Sequence, residues 1–186
     1  WSVAILRGCA AGCAFCCITE HQGRDVSSRS HGSVIREIET LTKDPKFRGT
    51  ITDLGGATAN MWQMGCTSAE AHAACRRASC VYPTVCQFFA VDHGPLVDLY
   101  RDARAVKGVK HAFVGSGLRY DLAHHDRKNG QAYLEELIGH HVSGQLKVAP
   151  EHVCDDVLKI MKKPGPAEFE QFRGEFERYS RKAGKE

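Results

Sequence analysis

Three cysteines near the start of the chain carry the strongest chemical signal. The stretch Arg7-Gly8-Cys9-Ala10-Ala11-Gly12-Cys13-Ala14-Phe15-Cys16 spaces them as C-x3-C-x2-C. Three thiolates on one short loop can each take one iron of a cubane [4Fe–4S] cluster. The fourth iron then keeps an open position, as open catalytic metal sites do. Gly8 and Gly12 let the backbone fold closely around such a group. The competing reading is a zinc site or a set of unrelated buried thiols. A structural zinc takes four protein ligands. This loop supplies three, and adjacent Cys17 is a poor fourth because neighbouring side chains diverge.

A second group follows. Cys66, Cys75, Cys80 and Cys86 lie within 21 residues, spaced C-x8-C-x4-C-x5-C. Four thiolates could close a zinc site or hold an auxiliary iron–sulfur cluster. The C-x2-C knuckle of common zinc ribbons is missing. The plain alternative makes Cys75 helix core and the others isolated small apolar residues. Cys17 and Cys154 have no evident partners and read as packing residues. Ten histidines are present, in no H-E-x-x-H or H-x-E pattern. Surface or helix-end positions are expected for them, with only His21, just after the first cysteine loop, standing out.

The elements that must position these residues alternate between β-branched runs and amphipathic helices. Val3-Ala4-Ile5-Leu6 reads as a buried strand running into Cys9. Val34, Ile35, Ile38 and Leu41 recur at helical spacing, and Lys43-Asp44-Pro45 ends that helix. Residues 49–54 form a second strand closed by Gly55-Gly56. A cysteine-rich insertion covers about 60–92. Leu96, Tyr100 and Ala103 mark a helix, Val109 to Val114 a third strand, and Leu134, Leu137 and Ile138 a further helix. Residues 145–149 read as a fourth strand, ending at Pro150-Glu151-His152. The last helix carries Phe169, Phe172, Phe176 and Tyr179 on one face. Such alternation implies a parallel sheet with right-handed crossovers. Active sites of these folds sit at the strand ends. Four strands are too few to close a barrel. The expected fold is therefore α/β, a partial (β/α) barrel truncated before its last strands.

Composition excludes several classes. The chain has 186 residues, 42% of them hydrophobic and 25% charged, as in an ordinary globular domain. A net charge of +3 without a dense basic stripe gives no argument for nucleic acid. No signal peptide and no apolar run of about 18 residues is present, so neither secretion nor a membrane span is expected. The nine cysteines stay well under the roughly 8–10% of a disulfide scaffold. Odd in number and clustered, they point to metal or redox chemistry in a reducing compartment, by default the cytoplasm. The first residue is Trp1, and the chain stops just after a helical pattern. Both ends are read as cuts through a longer protein.

The motifs also carry a resemblance. Cys13-Ala14-Phe15-Cys16, with an aromatic before the last cysteine, resembles the cluster loop of radical S-adenosylmethionine (SAM) enzymes. Four segments resemble the YgiQ-type family of radical SAM proteins. They are Arg7-Gly8-Cys9 through Thr19-Glu20-His21, Asp53-Leu54-Gly55-Gly56-Ala57-Thr58-Ala59-Asn60-Met61, Ser116-Gly117-Leu118-Arg119-Tyr120-Asp121, and Leu146-Lys147-Val148-Ala149-Pro150-Glu151-His152. The similarity runs over almost the whole chain, which reads as residues 1–186 of an incomplete radical SAM core domain.

The resemblance implies a [4Fe–4S] cluster on Cys9, Cys13 and Cys16, with SAM chelated at the open iron. It also implies reductive cleavage to a 5′-deoxyadenosyl radical that takes hydrogen from a substrate of unknown identity. An electron donor such as flavodoxin or ferredoxin is implied as a partner. Gly55, Gly56 and Ala57 stand where these enzymes bind the SAM amino group through backbone carbonyls. Ala57 departs from the glutamate common there, which removes any carboxylate contact. Ser116 could bond a ribose hydroxyl, and Arg119 could pair with the SAM carboxylate. Lys147, Glu151 and His152 surround the end of the fourth strand, with Glu151 favoured for a SAM contact. Phe15 is expected to pack near the cluster and adenine, or against the first strand. Family members carry cysteines in the insertion, so Cys66, Cys75, Cys80 and Cys86 are a candidate second metal site. Against all this stands a non-catalytic alternative, a cysteine-rich zinc-binding structural or adaptor module.

Overall fold

A computed structural model describes residues 1–185. The chain begins with β1 (Ser2–Ala4), β2 (Leu6–Arg7), α1 (Ile18–Gln22), β3 (Ser27–Ser28) and α2 (His31–Leu41). Next come β4 (Thr50–Ile51), β5 (Asp53–Gly55), a 3-10 turn (Ala59–Met61), β6 (Gly65–Cys66), α3 (Ala69–Ala73), β7 (Phe89–Ala90) and α4 (Gly94–Ala105). The remainder is β8 (His111–Ala112), α5 (Tyr120–His125), α6 (Gly130–Glu136), a π-helical turn (Leu137–His141), α7 (Asp155–Met161) and α8 (Pro166–Lys182).

The first three expected strands are present but short. β1 pairs parallel with β5, register Val3 to Leu54, and β4 pairs parallel with β8, register Ile51 to Ala112. Backbone bonds knit these pairs into one layer. Leu54 N–H donates to Phe113 O at 2.8 Å, and Phe113 N–H donates to Ile51 O at 2.9 Å. Strand positions therefore follow chain order, first beside second beside third. The result is a mixed α/β unit with parallel strand pairs and no closed barrel.

Two expectations are corrected. Residues 145–149 form no strand. They meet the layer only through a parallel bridge from Leu118 to Val148, with Leu118 N–H donating to Lys147 O at 3.3 Å. Gln145 and Lys147 are exposed, so this segment lacks the two-sided burial that holds a central parallel strand. The first strand is buried on one face only. Val3 and Ile5 are inside while Ser2 and Ala4 are exposed.

Helix α2 forms as its periodicity predicts. Ser30 caps its N-terminus by accepting from Ser33 N–H at 3.3 Å, and Val34 and Ile38 point inward. Helix α4 starts with proline in its first turn, where the missing N–H costs nothing, and buries Leu96, Leu99, Tyr100 and Ala103. Both helices cover the layer, and α8 closes one side by burying Phe172 and Tyr179.

The turn after α6 loosens to π geometry where His141 enters the core. That histidine is fully buried, contrary to the expectation of surface histidines. Its ring Nδ1 faces Ala112 O and its Nε2 faces Glu136 Oε1 at 3.2 Å, so both ring nitrogens meet acceptors. Val114 N–H donates to His141 O at 2.9 Å, which ties the turn to the sheet edge. Arg101 and Arg104 reach Glu136 at 3.0 and 2.9 Å.

Burial opposes the charge on Glu136, but bonds from His141, Arg104 and Arg101 outweigh it and bring its carboxyl from 4.5 down to about 2. A lowered folded-state value adds stability above pH 4.5 that is lost as pH falls through about 2. Glu136→Gln is expected to cost about 2 kcal/mol at neutral pH and to flatten the fall of Tm between pH 4.5 and 2. Thermal melts of both proteins across that range check this.

Candidate functional site

The chemistry-bearing residues gather at the strand ends. β2 runs into Gly8, whose φ of +84° is the left-handed conformation that glycine tolerates. A Cβ there would lie 2.3 Å from Asp25 O. Cys9 N–H donates to Gly23 O at 3.1 Å, and the Thr19 hydroxyl donates to Cys9 O at 3.2 Å. Gly12, also left-handed at +60°, lets the loop press against Ala78, where a Cβ would meet Ala78 O at 2.3 Å. The loop backbone is thus seated from two sides.

Cys9 is buried, and Cys13 and Cys16 are half-buried. Cys9 Sγ lies 3.2 Å from the Thr58 hydroxyl. The Arg119 guanidinium approaches Cys13 Sγ at 3.9 Å through Nη1. Burial pushes the Cys13 thiol up, Arg119 and Lys163 pull it down, and the neighbouring Cys9 and Cys16 thiols push it up again. The three sulfurs are therefore electrostatic neighbours flanked by two cations. Among the described residues, no three His, Cys, Asp or Glu side chains converge as ligands of a single ion would. Sulfurs bound to three different irons of one cluster stand farther apart than ligands sharing one ion. A donor set of three thiols on one loop, with no carboxylate among them and cations alongside, suits an anionic cluster.

Arg119 is held by a network that sequence reading missed. The Asn60 side chain accepts from Arg119 N–H at 2.8 Å and donates to Arg119 O at 2.8 Å. The same amide lies 3.1 Å from His93 Nε2. His93 Nδ1 is 2.9 Å from Asp126 Oδ2, and His93 N–H donates to that oxygen at 2.7 Å. The consistent assignment puts the ring proton on Nδ1, facing Asp126, and leaves Nε2 to accept from Asn60. Burial resists the Asp126 charge, but bonds from the His93 ring and from the Asn129 and His93 N–H groups take its carboxyl down to about 2. Asn60 and His93 are fully buried. The available signal was their placement: Asn60 lies in the turn that follows β5, and His93 lies between β7 and a helix opening with Gly94-Pro95.

The other expected residues separate into those brought to the site and those left out. Gly55 and Gly56 are packed tightly. A Cβ on Gly55 would touch the Ser116 side chain at 2.7 Å, and one on Gly56 would meet Leu6 O at 2.7 Å. Ala57 packs against the main core and also against the smaller one under the cysteine loop. The Ser116 hydroxyl donates to Asp53 Oδ2 at 2.6 Å, while Ser116 and Gly115 N–H groups donate to Asp53 Oδ1. Its proton is already committed to shaping the turn. Arg119 is buried and forks onto Asp121, the opposite of a surface arginine.

Phe15 is 54% exposed and packs on neither the first strand nor a core. Glu151 is exposed with φ +71° and sits 3.6 Å from Lys163, and Lys147 and His152 are exposed. Cys17 and Cys154 are exposed rather than packed inside. Cys75 lies just beyond α3 instead of inside a helix core. Cys66, Cys75, Cys80 and Cys86 all line one small cavity of about 30 Å³. There the Arg77 backbone N–H, and then the Arg24 guanidinium, draw the Cys75 thiol down against the effect of burial.

A larger cavity of about 1050 Å³ opens beside the first site, lined among others by Arg119, Asp121, His124, Lys163 and Glu168. No described helix is long and apolar enough to cross a membrane.

The arrangement defines an α/β protein with a thiol-rich centre at the ends of its parallel strands. No protein-family profile matches the chain. Its sequence is 51% identical over 186 residues to the UPF0313 protein of Shewanella oneidensis, covering 100% of this chain and 23% of that protein. It is 50% identical over 187 residues to the UPF0313 protein of Pseudomonas syringae, covering 100% of this chain and 24% of that protein. To the UPF0313 protein YgiQ of Salmonella typhimurium it is 49% identical over 187 residues, covering 100% and 25%. The chain belongs to the UPF0313 family and spans about a quarter of the length of these relatives.

An unpaired buried amide costs about 1–3 kcal/mol. Asn60→Ala strands the Arg119 N–H and C=O and removes the His93 contact, so a stability loss of about 3 kcal/mol is expected. Urea denaturation measures it. A loss under about 0.5 kcal/mol, typical of a surface substitution, would show that the network carries nothing.

Proposed function

We propose that this chain forms part of a radical SAM enzyme whose [4Fe–4S] cluster is held by Cys9, Cys13 and Cys16. The observation that carries the reading is the buried Arg119, brought from beyond the third strand to 3.9 Å from Cys13 Sγ. A loop of structural thiols has no use for a desolvated guanidinium forked onto Asp121, on a backbone clamped by the buried Asn60. A cluster with several thiolate ligands does, because its negative charge needs a fixed counter-charge.

When bound, the cluster supplies the electron that cleaves the SAM sulfonium to methionine and a 5′-deoxyadenosyl radical. The chain's own residues bind and orient. The Thr58 hydroxyl bonds the Cys9 sulfur and fixes its rotamer. Gly55 and Gly56 have no room for side chains because Ser116 and Leu6 pack against them, and Gly55 O accepts from Ile5 N–H at 2.8 Å, so the carbonyls left for a ligand's ammonium group are those of Gly56 and Ala57. Arg119 supplies positive charge to the wall of the 1050 Å³ cavity, which is of the size that takes a nucleoside-bearing ligand. Because Asp121 occupies two of its donors, Nη1 is the donor left for the cluster or a carboxylate. Ser116 contributes by shaping the turn through Asp53, and its oxygen can still accept a bond from a ribose hydroxyl. Glu151 is exposed, pairs with Lys163 at 3.6 Å and is assigned no contact. The family and its resemblance give no substrate, and the electron donor is of the flavodoxin or ferredoxin class.

Anaerobic reconstitution with iron and sulfide tests the reading. About four irons per chain are expected at this loop, with dithionite-dependent release of methionine and 5′-deoxyadenosine. Cys13→Ala is expected to lose that iron and abolish cleavage. Arg119→Ala is expected to weaken cluster retention by about 10- to 100-fold, as loss of an outer ligand partner does. Undiminished SAM cleavage by the Cys13 variant would overturn the assignment.

A further inference from the structure

The insertion between the 3-10 turn and β7 is poorly equipped to hold itself together. Strands β6 and β7 are two residues each, and α3 is a five-residue helix with no buried residue. Between residues 65 and 88 only Ser79 and Val81 are buried. A segment with so little core needs a staple of another kind. Yet its backbone makes exact demands on the neighbouring loop. Cys80 N–H donates to Ala10 O at 2.9 Å, and Ala78 O occupies the space that Gly12 leaves open.

All four thiols line one small cavity in this segment, and two of them, Cys66 and Cys80, also line a neighbouring cavity of about 430 Å³. Cys66, Cys75, Cys80 and Cys86 line the small one together with Arg24, His72 and Arg77. No disulfide forms among them. Arg24 Nη1 lies 3.6 Å from Cys75 Sγ and also donates to Arg77 O. Among the described residues, no three of these side chains converge as ligands of one ion, so binding requires the thiols around the shared cavity to turn inward by side-chain rotation. We propose that Cys66, Cys75, Cys80 and Cys86 bind a single zinc ion that staples the insertion against the Cys9–Cys16 loop.

Size separates zinc from a second cluster. The cavity of about 30 Å³ holds a water or two, hence one ion, and has no room for a four-iron cubane. Charge agrees. Four thiolates around a divalent ion leave a formal charge of minus two, and Arg24 and Arg77 supply two positive charges at the cavity wall. All four ligands come from the chain, so the site is closed and structural rather than catalytic. The ion's contribution to the first site is mechanical, because holding residues 78–80 in place keeps the outer wall of the iron-binding loop.

The test uses the full chain carrying C9A, C13A and C16A, so that the first loop cannot contribute metal. About one zinc per chain is expected by elemental analysis after growth with added zinc. Replacement by Co(II) is expected to give the intense visible bands of tetrahedral thiolate coordination. Cys75→Ser with Cys86→Ser should lose both signals. Should that variant fail to fold, the Co(II) spectrum of the triple-alanine protein decides alone, and a spectrum without thiolate charge transfer overturns the proposal. So does iron with sulfide at this site, or zinc retained in the double variant. None of these outcomes depends on SAM cleavage, so this site and the iron-binding loop fail or stand separately.

Discussion

The grip of Asn60 on both backbone polar groups of Arg119 is the interaction on which the rest depends. One amide accepts from the N–H and donates to the C=O, 2.8 Å each, and in doing so joins the end of the second strand to the end of the third. The strands themselves are only two or three residues long, so their ladders hold these ends weakly. Burial makes the amide bonds strong and their loss costly. His93, locked by Asp126, stops the Asn60 side chain from turning. The outcome is a guanidinium whose position is set by the core and whose free donor faces Cys13.

The cysteine loop is wedged between this rigid edge and a soft one. On the inner side lie the sheet, Thr58 and Arg119. On the outer side lie residues 78–80 of the insertion, reached by one backbone bond and by the close approach at Gly12. A small core of Ala10, Ala11, Met61, Met64, Val81, Phe89 and Leu122 fills the gap beneath. Thiolate spacing within the loop is therefore controlled by two packed surfaces rather than by the loop's own bonds. This is how a flexible, glycine-containing segment can present three sulfurs in a reproducible arrangement.

Much of the frame was readable in advance. The 3.6-residue spacing of Val34, Ile38 and Leu41, and of Leu96, Tyr100 and Ala103, marks helix faces because only one side of each is covered. That one tight, glycine-containing loop offers three thiols was readable as well, because thiol spacing and glycine placement are local properties. The segment 145–149 misled. Its β-rich composition matches a strand, but with Gln145 and Lys147 in solvent it joins the layer through a single bridge. The alternative expectation for Phe15, packing against the first strand, is not met: the side chain is 54% exposed and belongs to neither apolar core.

What the order of residues determined alone is the chemistry on offer: three thiols in C-x3-C-x2-C, four more in an insertion, and the parallel alternation that delivers the first group to strand ends. Those facts follow from spacings of a few residues. Tertiary structure decided who meets whom. It brought Arg119 to Cys13 across 106 positions, buried His93 and His141 against carboxylates, committed the Ser116 hydroxyl to Asp53, and set four separate cysteines around one small space. The reason is physical. Desolvation and charge pairing act between groups close in space, and a spacing pattern along the chain carries no record of which distant polar groups must satisfy each other once water is excluded.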